Sequence, residues 1–379
     1  YNARSLFVRK VTTLATAFGI TLVVCVFAAA LMLGEGVNRA LTTSGRADNV
    51  IILRKGSDAE LSSAVGNDYL GLFRGPAQVS QAGGVIGEIV VVITVDRADG
   101  SGVSNVLVRG TPSDGIAFRP EVKIISGRAP KPGTNEVIVG KAISGRFQGI
   151  ALGGSFEMRR NRPLQVVGEF SADGTSYESE VWGDLDWIRS SLGREAVVSS
   201  VRVRLNSPSD FDAYRQIIET DKRFSMKVMR EAEYYEKQSQ QTSGFLKGLG
   251  LMVAILFSVA AMIGAAITMN GAVAHRTREI GTLRALGFSR LAILSSFLLE
   301  AIALSLIGDL VGSVLVLLLS LVSFPVMNFQ TFSEIVIRFH ATPAVFITAL
   351  LFSAVMGIVG GLFPAIRASR ISPVEAMRG

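Results

Sequence analysis

Four long apolar runs frame this chain. Residues 11–34 and 248–274 contain no charged side chain, and about 20 consecutive apolar residues suffice for a helix to cross a bilayer. A third run, 291–327, is interrupted only by Glu300 and Asp309, and a fourth covers 344–366. Between the first two runs the periodicity changes. The segments NVIILR, GEIVVVITV, NVLVRG, EVKII, NEVIVG, SFEMRR, LQVVGEF and SVRVRL within residues 49–227 are β-branched runs of strand length. Gly, Pro, Asn and Asp punctuate them, as at 130–135 and 206–209. Helical pieces fall at 140–147, 185–192 and 209–220. In the last, Ser207 or Ser209 can cap the first turn, and Phe211, Tyr214, Ile217 and Ile218 mark one face.

The pattern predicts an α-helical membrane protein with four transmembrane helices and a large extracytoplasmic α+β domain inserted between the first and second. Residues 1–34 form a short cytoplasmic segment and the first span. The mixed-polarity stretch 35–48 reads as a short helix extending the first span, and 228–244, where helix formers dominate and Gly and Pro are scarce, as a helix entering the second; together they would form a stalk beside the domain at 49–227. Residues 245–379 hold the second span, a cytoplasmic loop at 275–290, the third span, a short external loop with Pro325 and Glu334, the fourth span and a basic tail. The first run is longer than the 7 to 15 residues of a secretory h-region, so it reads as a span and not as a cleaved signal.

Charge orients this layout. Arg4, Arg9 and Lys10 contribute +3, the segment from Arg276 to Arg290 contributes +3, and Arg367, Arg370, Glu375 and Arg378 contribute +2; against a formal total of +7, the rest of the chain sums to −1. Each basic segment abuts an apolar run, which places those loops and both termini in the cytoplasm. A nucleic-acid patch would not be split in this way, so no nucleic-acid partner is expected. Only 18% of residues are charged, against about 25% in soluble domains. The single Cys25 excludes an internal disulfide.

Catalytic chemistry finds little support. His275 and His340 fall on opposite sides of the membrane in this layout and cannot share a metal. The VGKA around Lys141 lacks the rest of a phosphate-binding loop, so no ATP site of that kind is present. No catalytic residue and no metal site are assigned. Glu300 and Asp309 are costly inside a bilayer. Nine residues apart on a helix, they point to opposite faces and do not form one dyad. Structural pairing is the preferred reading for Glu300 over transport chemistry, whereas the deeper Asp309 has no assigned role and should face protein or a wet cavity. Gly308 and Gly312, and likewise Gly357 and Gly361, form GxxxG pairs suited to close helix packing, within the chain or across a dimer seam. In the basic loop, Ile280, Leu283 and Gly287 share a narrow helical arc, as in a helix lying along a membrane surface.

The loop REIGTLRALGFSR, the following FLLEAIALSLIG with Glu300, and the tail FPAIRASRISPVEAMRG together resemble the permease signature of MacB/FtsX/LolC-type ABC transporters, also called type VII or mechanotransmission transporters. PGTNEVIVGKAISGRF and VVGEF resemble the extracytoplasmic domain of MacB-like proteins. The resemblance covers nearly the whole chain; Asp309 departs from it, because a small residue is more usual there. It implies a permease in the inner (plasma) membrane, paired with a second copy or a related permease and bound to two cytoplasmic ATPase subunits. ATP and Mg would be used in those subunits, with no cofactor and no enzymatic activity in this chain. Arg276, Glu279, Gly281, Arg284, Ala285 and Gly287 would form the coupling helix that docks on the ATPase. The substrate would be a lipoprotein, lipid, peptide or amphiphilic drug captured outside the membrane, with a periplasmic adaptor, outer-membrane protein or lipoprotein as further partner. The alternative from the same resemblance is an FtsX-like signalling module that activates an extracytoplasmic partner such as a cell-wall hydrolase.

Overall fold

The computed structural model describes residues 10–81, 84–223 and 225–378. They fall into two compact units: one of Tyr1–Glu35, Phe245–Val322 and Arg338–Gly379, the other of Gly36–Gly244 with Ser323–Ile337. In chain order the elements begin with α1 (Lys10–Thr42), β1 (Asn49–Arg54), β2 (Val65–Gly66), α2 (Leu70–Arg74), β3 (Val85–Asp96) and β4 (Val103–Thr111). Next come β5 (Lys123–Gly127), β6 (Glu136–Gly140), β7 (Ser155–Arg159), β8 (Arg162–Ser171), β9 (Glu180–Asp184) and α3 (Leu185–Leu192). Then β10 (Val197–Val198), β11 (Ser200–Arg204), α4 (Phe211–Thr220) and β12 (Met226–Arg230) lead into α5 (Glu231–His275). The chain continues through α6 (Thr277–Ala285), α7 (Arg290–Leu317), β13 (Ser323–Met327), β14 (Glu334–Arg338), α8 (Pro343–Ser369) and α9 (Pro373–Arg378).

The α/β unit is built on a ten-stranded sheet in the order β12-β1-β11-β3-β4-β9-β6-β8-β5, with β7 pairing to β8. Most pairs are antiparallel; β4–β9 and β6–β8 are parallel. Side chains alternate between the faces of a strand. On one face, Val50, Ile52, Ile89, Val106, Val108, Val181, Val201 and Val203 join a continuous apolar core, to which α4 adds Phe211, Tyr214 and Ile218. Asp184 caps α3 by accepting from Trp187 N, and Gly193 closes it at φ 67°. Ser207 makes a capping box with Asp210 ahead of α4.

In the helical unit, α1, α5, α7 and α8 are each long and apolar enough to cross a membrane. The GxxxG pairs mark where their backbones meet. A Cβ on Gly308 would lie 2.9 Å from Ile20 Cγ2 and one on Gly312 2.9 Å from Thr21 O, so this pair packs α7 on α1. A Cβ on Gly357 or Gly361 would lie 2.4 Å from Ser305 Oγ or Ala301 Cβ, so the second pair packs α8 on α7. Ser353 Oγ donates to Ser305 O at 2.8 Å, and Phe27 meets Phe352 at a ring separation of 4.4 Å.

Four local expectations change. The stalk stretch 35–48 is helical only to Thr42, where α1 ends, while most of the stretch 228–244 is the start of the 45-residue α5. Residues 228–230, read from sequence as the start of a stalk, belong to the strand β12 instead, because MKVMR pairs edge-on with β1. Residues 140–147 hold no helix: Gly140 ends β6, 141–146 are turns with Gly145 at φ 74°, and Phe147 makes a β-bridge to Arg97. The third apolar run is α-helical to Leu317 and 3-10 helical to Leu321; Pro325 lacks the N–H that a helix interior needs, and the segment around it is the strand β13 paired with β14.

Candidate functional site

Two constellations stand out, one in each unit. The first is the short helix α6. Arg276 separates it from α5, and Leu286 and Gly287 end it, Gly287 at φ 95°, a conformation that costs glycine least. Ser289 then caps α7 by accepting from Ala292 N at 3.1 Å. The inner face of α6 is fixed by packing. Ile280 is buried with Val273, Ile293, Phe297 and Ala365, and a Cβ on Gly281 would stand 2.4 Å from Ala376 Cβ, so α6 lies directly against α9. Arg276 Nη1 lies 3.3 Å from Glu300 Oε2, which gives the buried carboxylate of α7 a cationic partner. Asp309 is also buried, and its Oδ1 has no hydrogen-bond partner among the described residues.

The outer face of α6 carries different chemistry. Glu279 and Ala285 are exposed, and Arg284 donates to Phe288 O at 3.2 Å. Leu286 and Phe288 are 72% and 51% exposed. The sequence places Ile280 and Leu283 on one apolar arc; the fold separates them, burying Ile280 in the chain's own core and leaving Leu283 on the surface. The apolar contact of this helix is therefore its own tail and neighbouring helices. What it offers outward is a short apolar and charged knob on a rigid base.

The second constellation occupies the other face of the sheet. The residues that alternate with the apolar core positions include Glu88 on β3, Arg109 on β4, Glu180 on β9 and Arg202 on β11, and all are buried. Glu60, Arg119 and Glu231 complete a group of three arginines and four glutamates shut away from solvent. Arg109 donates to Glu180 at 2.7 and 2.9 Å and to Glu60 and Glu88 at 3.1 Å. Arg119 forks onto Glu88 at 2.7 and 2.8 Å. Arg202 reaches Glu88 at 2.9 Å, Glu60 at 3.2 Å and Glu231. Each guanidinium is planar and presents several donors, so one arginine can satisfy two or three carboxylates. Tyr177 and Trp182 stack over Arg119 at 5.0 and 5.1 Å.

This group grips the beginning of α5. Glu231, its first residue, binds Arg202 and accepts from Asn49 Nδ2 at 2.8 Å. Tyr234 Oη accepts from Glu60 N at 3.3 Å, and Tyr235 Oη accepts from Arg202 at 3.2 Å while donating to Tyr177 Oη at 2.8 Å. A turn further on, Ser239 Oγ donates to Asn38 of α1 at 2.8 Å. The β13–β14 hairpin adds Asn328 to Gln238 at 3.3 Å and Gln330 to Gln241 at 3.0 Å, and its Glu334 pairs with Arg97. The first three turns of α5 are thus clamped to the sheet, to α1 and to the hairpin.

Burial alone would disfavour ionised Glu60, but Arg109 and Arg202 outweigh it and hold its carboxyl at about 2, below the ordinary 4.5. Burial likewise opposes ionisation of Glu88, and Arg119 and Arg109 depress it. A carboxyl depressed on folding contributes stability that is complete above its unfolded value and lost as pH falls through its folded value. The α/β unit should therefore keep its stability down to about pH 4.5 and lose it progressively toward pH 2. Both tryptophans, Trp182 and Trp187, lie in this unit, so tryptophan-detected melting of the whole chain in detergent reads it selectively. A Glu60→Gln variant should be less stable at neutral pH and lose less on acidification. Equal acid sensitivity in the two proteins would contradict the assignment.

These buried residues are not singled out by sequence reasoning, because in strands such as SVRVR and NVLVRG the alternation reads as an apolar face and a solvated one. The available signal is an acidic residue, Glu88, inside the otherwise apolar GEIVVVITV.

The geometry defines a class: a protein with four helices of membrane-crossing length, an α/β domain inserted after the first, and a short braced helix between the second and third. Comparison with known proteins sharpens this. Residues 13–221 match the family model of the MacB-like periplasmic core domain, and residues 251–373 match that of the FtsX-like permease C-terminal region. The chain belongs to the MacB/FtsX-type ABC transporter permeases. It is 33% identical over 157 residues to the ABC transporter permease YvrN of Bacillus subtilis, covering 40% of this chain and 36% of that one. To the macrolide export ATP-binding/permease protein MacB of Neisseria gonorrhoeae it is 27% identical over 232 residues, covering 58% of this chain and 34% of MacB. The chain thus spans about a third of the length of these relatives. The periplasmic region of MacB from Actinobacillus actinomycetemcomitans aligns with 52% of this chain and 94% of its own at a TM-score of 0.39 and 12% identity.

Proposed function

We propose that this chain is the permease subunit of an inner-membrane ABC transporter, and that ATP-driven motion of a separate ATPase enters it at α6 and leaves through the α/β domain. In this reading α1, α5, α7 and α8 span the membrane, both termini and α6 are cytoplasmic, and the α/β domain lies outside. The observation that carries it is the two-sided build of α6. Ile280 and Gly281 seat it on the helical unit, while Leu286 and Phe288 stay exposed at its end beside Glu279 and Arg284. An apolar centre with charged neighbours is the usual anatomy of a protein–protein contact. Arg276, Gly281 and Gly287 set its position, and Ala285 keeps the outer surface low. Two ATPase subunits would engage two permeases, a second copy of this chain or a related one.

The match of residues 13–221 to the MacB-like core domain supports export or extraction of a substrate captured outside the membrane, such as a lipoprotein, lipid, peptide or amphiphilic drug, over FtsX-like activation of a hydrolase. Purification of the tagged chain from its native membrane tests the reading. An ABC ATPase should accompany it, with hydrolysis that depends on the permease; a chain that purifies without any ATPase under conditions that preserve its fold would refute it.

A further inference from the structure

The clamp on α5 covers Glu231 to Gln241, and immediately beyond it the helix changes character. Gly244, Gly248 and Gly250 fall within seven residues, and glycine weakens a helix interior more than any residue except proline. Close packing explains Gly250, where a Cβ would lie 2.1 Å from Ala30 Cβ. It does not explain the others, since a Cβ at Gly244 or Gly248 would meet nothing within 4 Å. Gly244 follows Thr242 and Ser243, and Gly/Ser pairs are among the recurrent causes of helix kinks. Thr242 Oγ1 is buried without a hydrogen-bond partner among the described residues. A threonine hydroxyl that bonds the carbonyl four residues back bends a helix, so this hydroxyl is free to take up Gln238 O as the helix flexes.

We propose that residues 242–248 are the hinge of α5, at which the helix bends just beyond its clamped first turns. The hinge rests on the permease reading only for its use in transport; the bending itself does not depend on an ATPase. The test is a Gly244→Ala/Gly248→Ala double variant of the full chain in lipid nanodiscs. Gly264→Ala serves as control, because Gly264 lies in the same helix and likewise has nothing within 4 Å of a Cβ. Amide exchange at 244–250 should slow roughly tenfold or more in the double variant, as expected for replacing two helix glycines, and stay unchanged there in the control. In the complex with its ATPase, ATP-coupled activity should fall in the double variant alone. Unchanged exchange at 244–250 would overturn the hinge, as would an equal loss of activity in the control. Loss of self-association in the double variant would also overturn it, by assigning these glycines to a seam between copies. If exchange slows as expected but no ATPase joins the chain, the hinge stands and the permease reading fails.

Discussion

An Arg202→Met variant is expected to lose most of the stability of the α/β unit. Arg202 is fully buried and binds Glu60, Glu88, Glu231 and Tyr235 at once. Removing it leaves two arginines to compensate four carboxylates in a space without solvent. Breaking a buried ion pair in this way costs about 3–5 kcal/mol, because the remaining charges stay desolvated and unpaired. Methionine keeps much of the volume, so the loss reports charge more than a cavity. Tryptophan-detected melting of the whole chain measures it. The size of the Arg202–Glu231 coupling follows from a double-mutant cycle with Glu231→Gln. If the ion pair holds the sheet to α5, the double variant should be clearly less destabilised than the sum of the single ones. Additivity would show that the two residues stabilise the unit independently.

In the helical unit, a Leu286→Glu/Phe288→Glu variant should fold and insert as the parent does, yet lose the proposed ATPase contact. Both side chains are exposed and support no core, so surface replacement should shift stability by no more than about 0.5 kcal/mol. Central apolar anchors of an interface cost 2 kcal/mol or more each when removed, so the pair should weaken ATPase binding by roughly 100-fold or more. Glu279→Ala/Arg284→Ala should weaken it less, since rim charges contribute chiefly to orientation and association rate. A complex that survives the Leu286/Phe288 change intact would move the docking site elsewhere. Wild-type binding with lost permease stability would instead make the two residues structural.

The apolar runs and the β-branched segments announce the architecture because each element is long and strongly periodic. α1, α5, α7 and α8 match the four runs in position, and eight strand segments read from the sequence have strands at their place. Ends and junctions are less legible. The polar stretch 35–48 reads as helix throughout, yet α1 stops at Thr42, because Thr43, Ser44 and Gly45 are weak helix formers. β12 is missed because five residues with Lys227 and Arg230 show little alternation, and their pairing partner β1 lies far back in the chain. The buried Arg–Glu group is missed for a deeper reason. Period-two alternation in β3, β4, β9 and β11 says that a second face exists, but not what covers it. Only the tertiary fold brings Glu231, Tyr234 and Tyr235 over that face. β13 is concealed in the end of an apolar run while β14 lies in the loop beyond it, and the hairpin's hold on α5 through Asn328 and Gln330 depends on residues about 90 positions apart.

In the proposed reading the two constellations are the chain's input and output. α6 is seated on the helical unit with an apolar knob left outside, and the start of α5 is clamped into the α/β domain. For the pair to work as a transmission, they must lie on opposite sides of one membrane. The most direct measurement is site-specific labelling in intact cells with a membrane-impermeant thiol reagent, in a Cys25→Ala background that removes the single native cysteine. Cysteine at Arg160, exposed in the turn between β7 and β8, should label without permeabilisation. Cysteine at His275, exposed at the end of α5, should label only after the membrane is opened. Labelling of both positions from the same side would contradict the account.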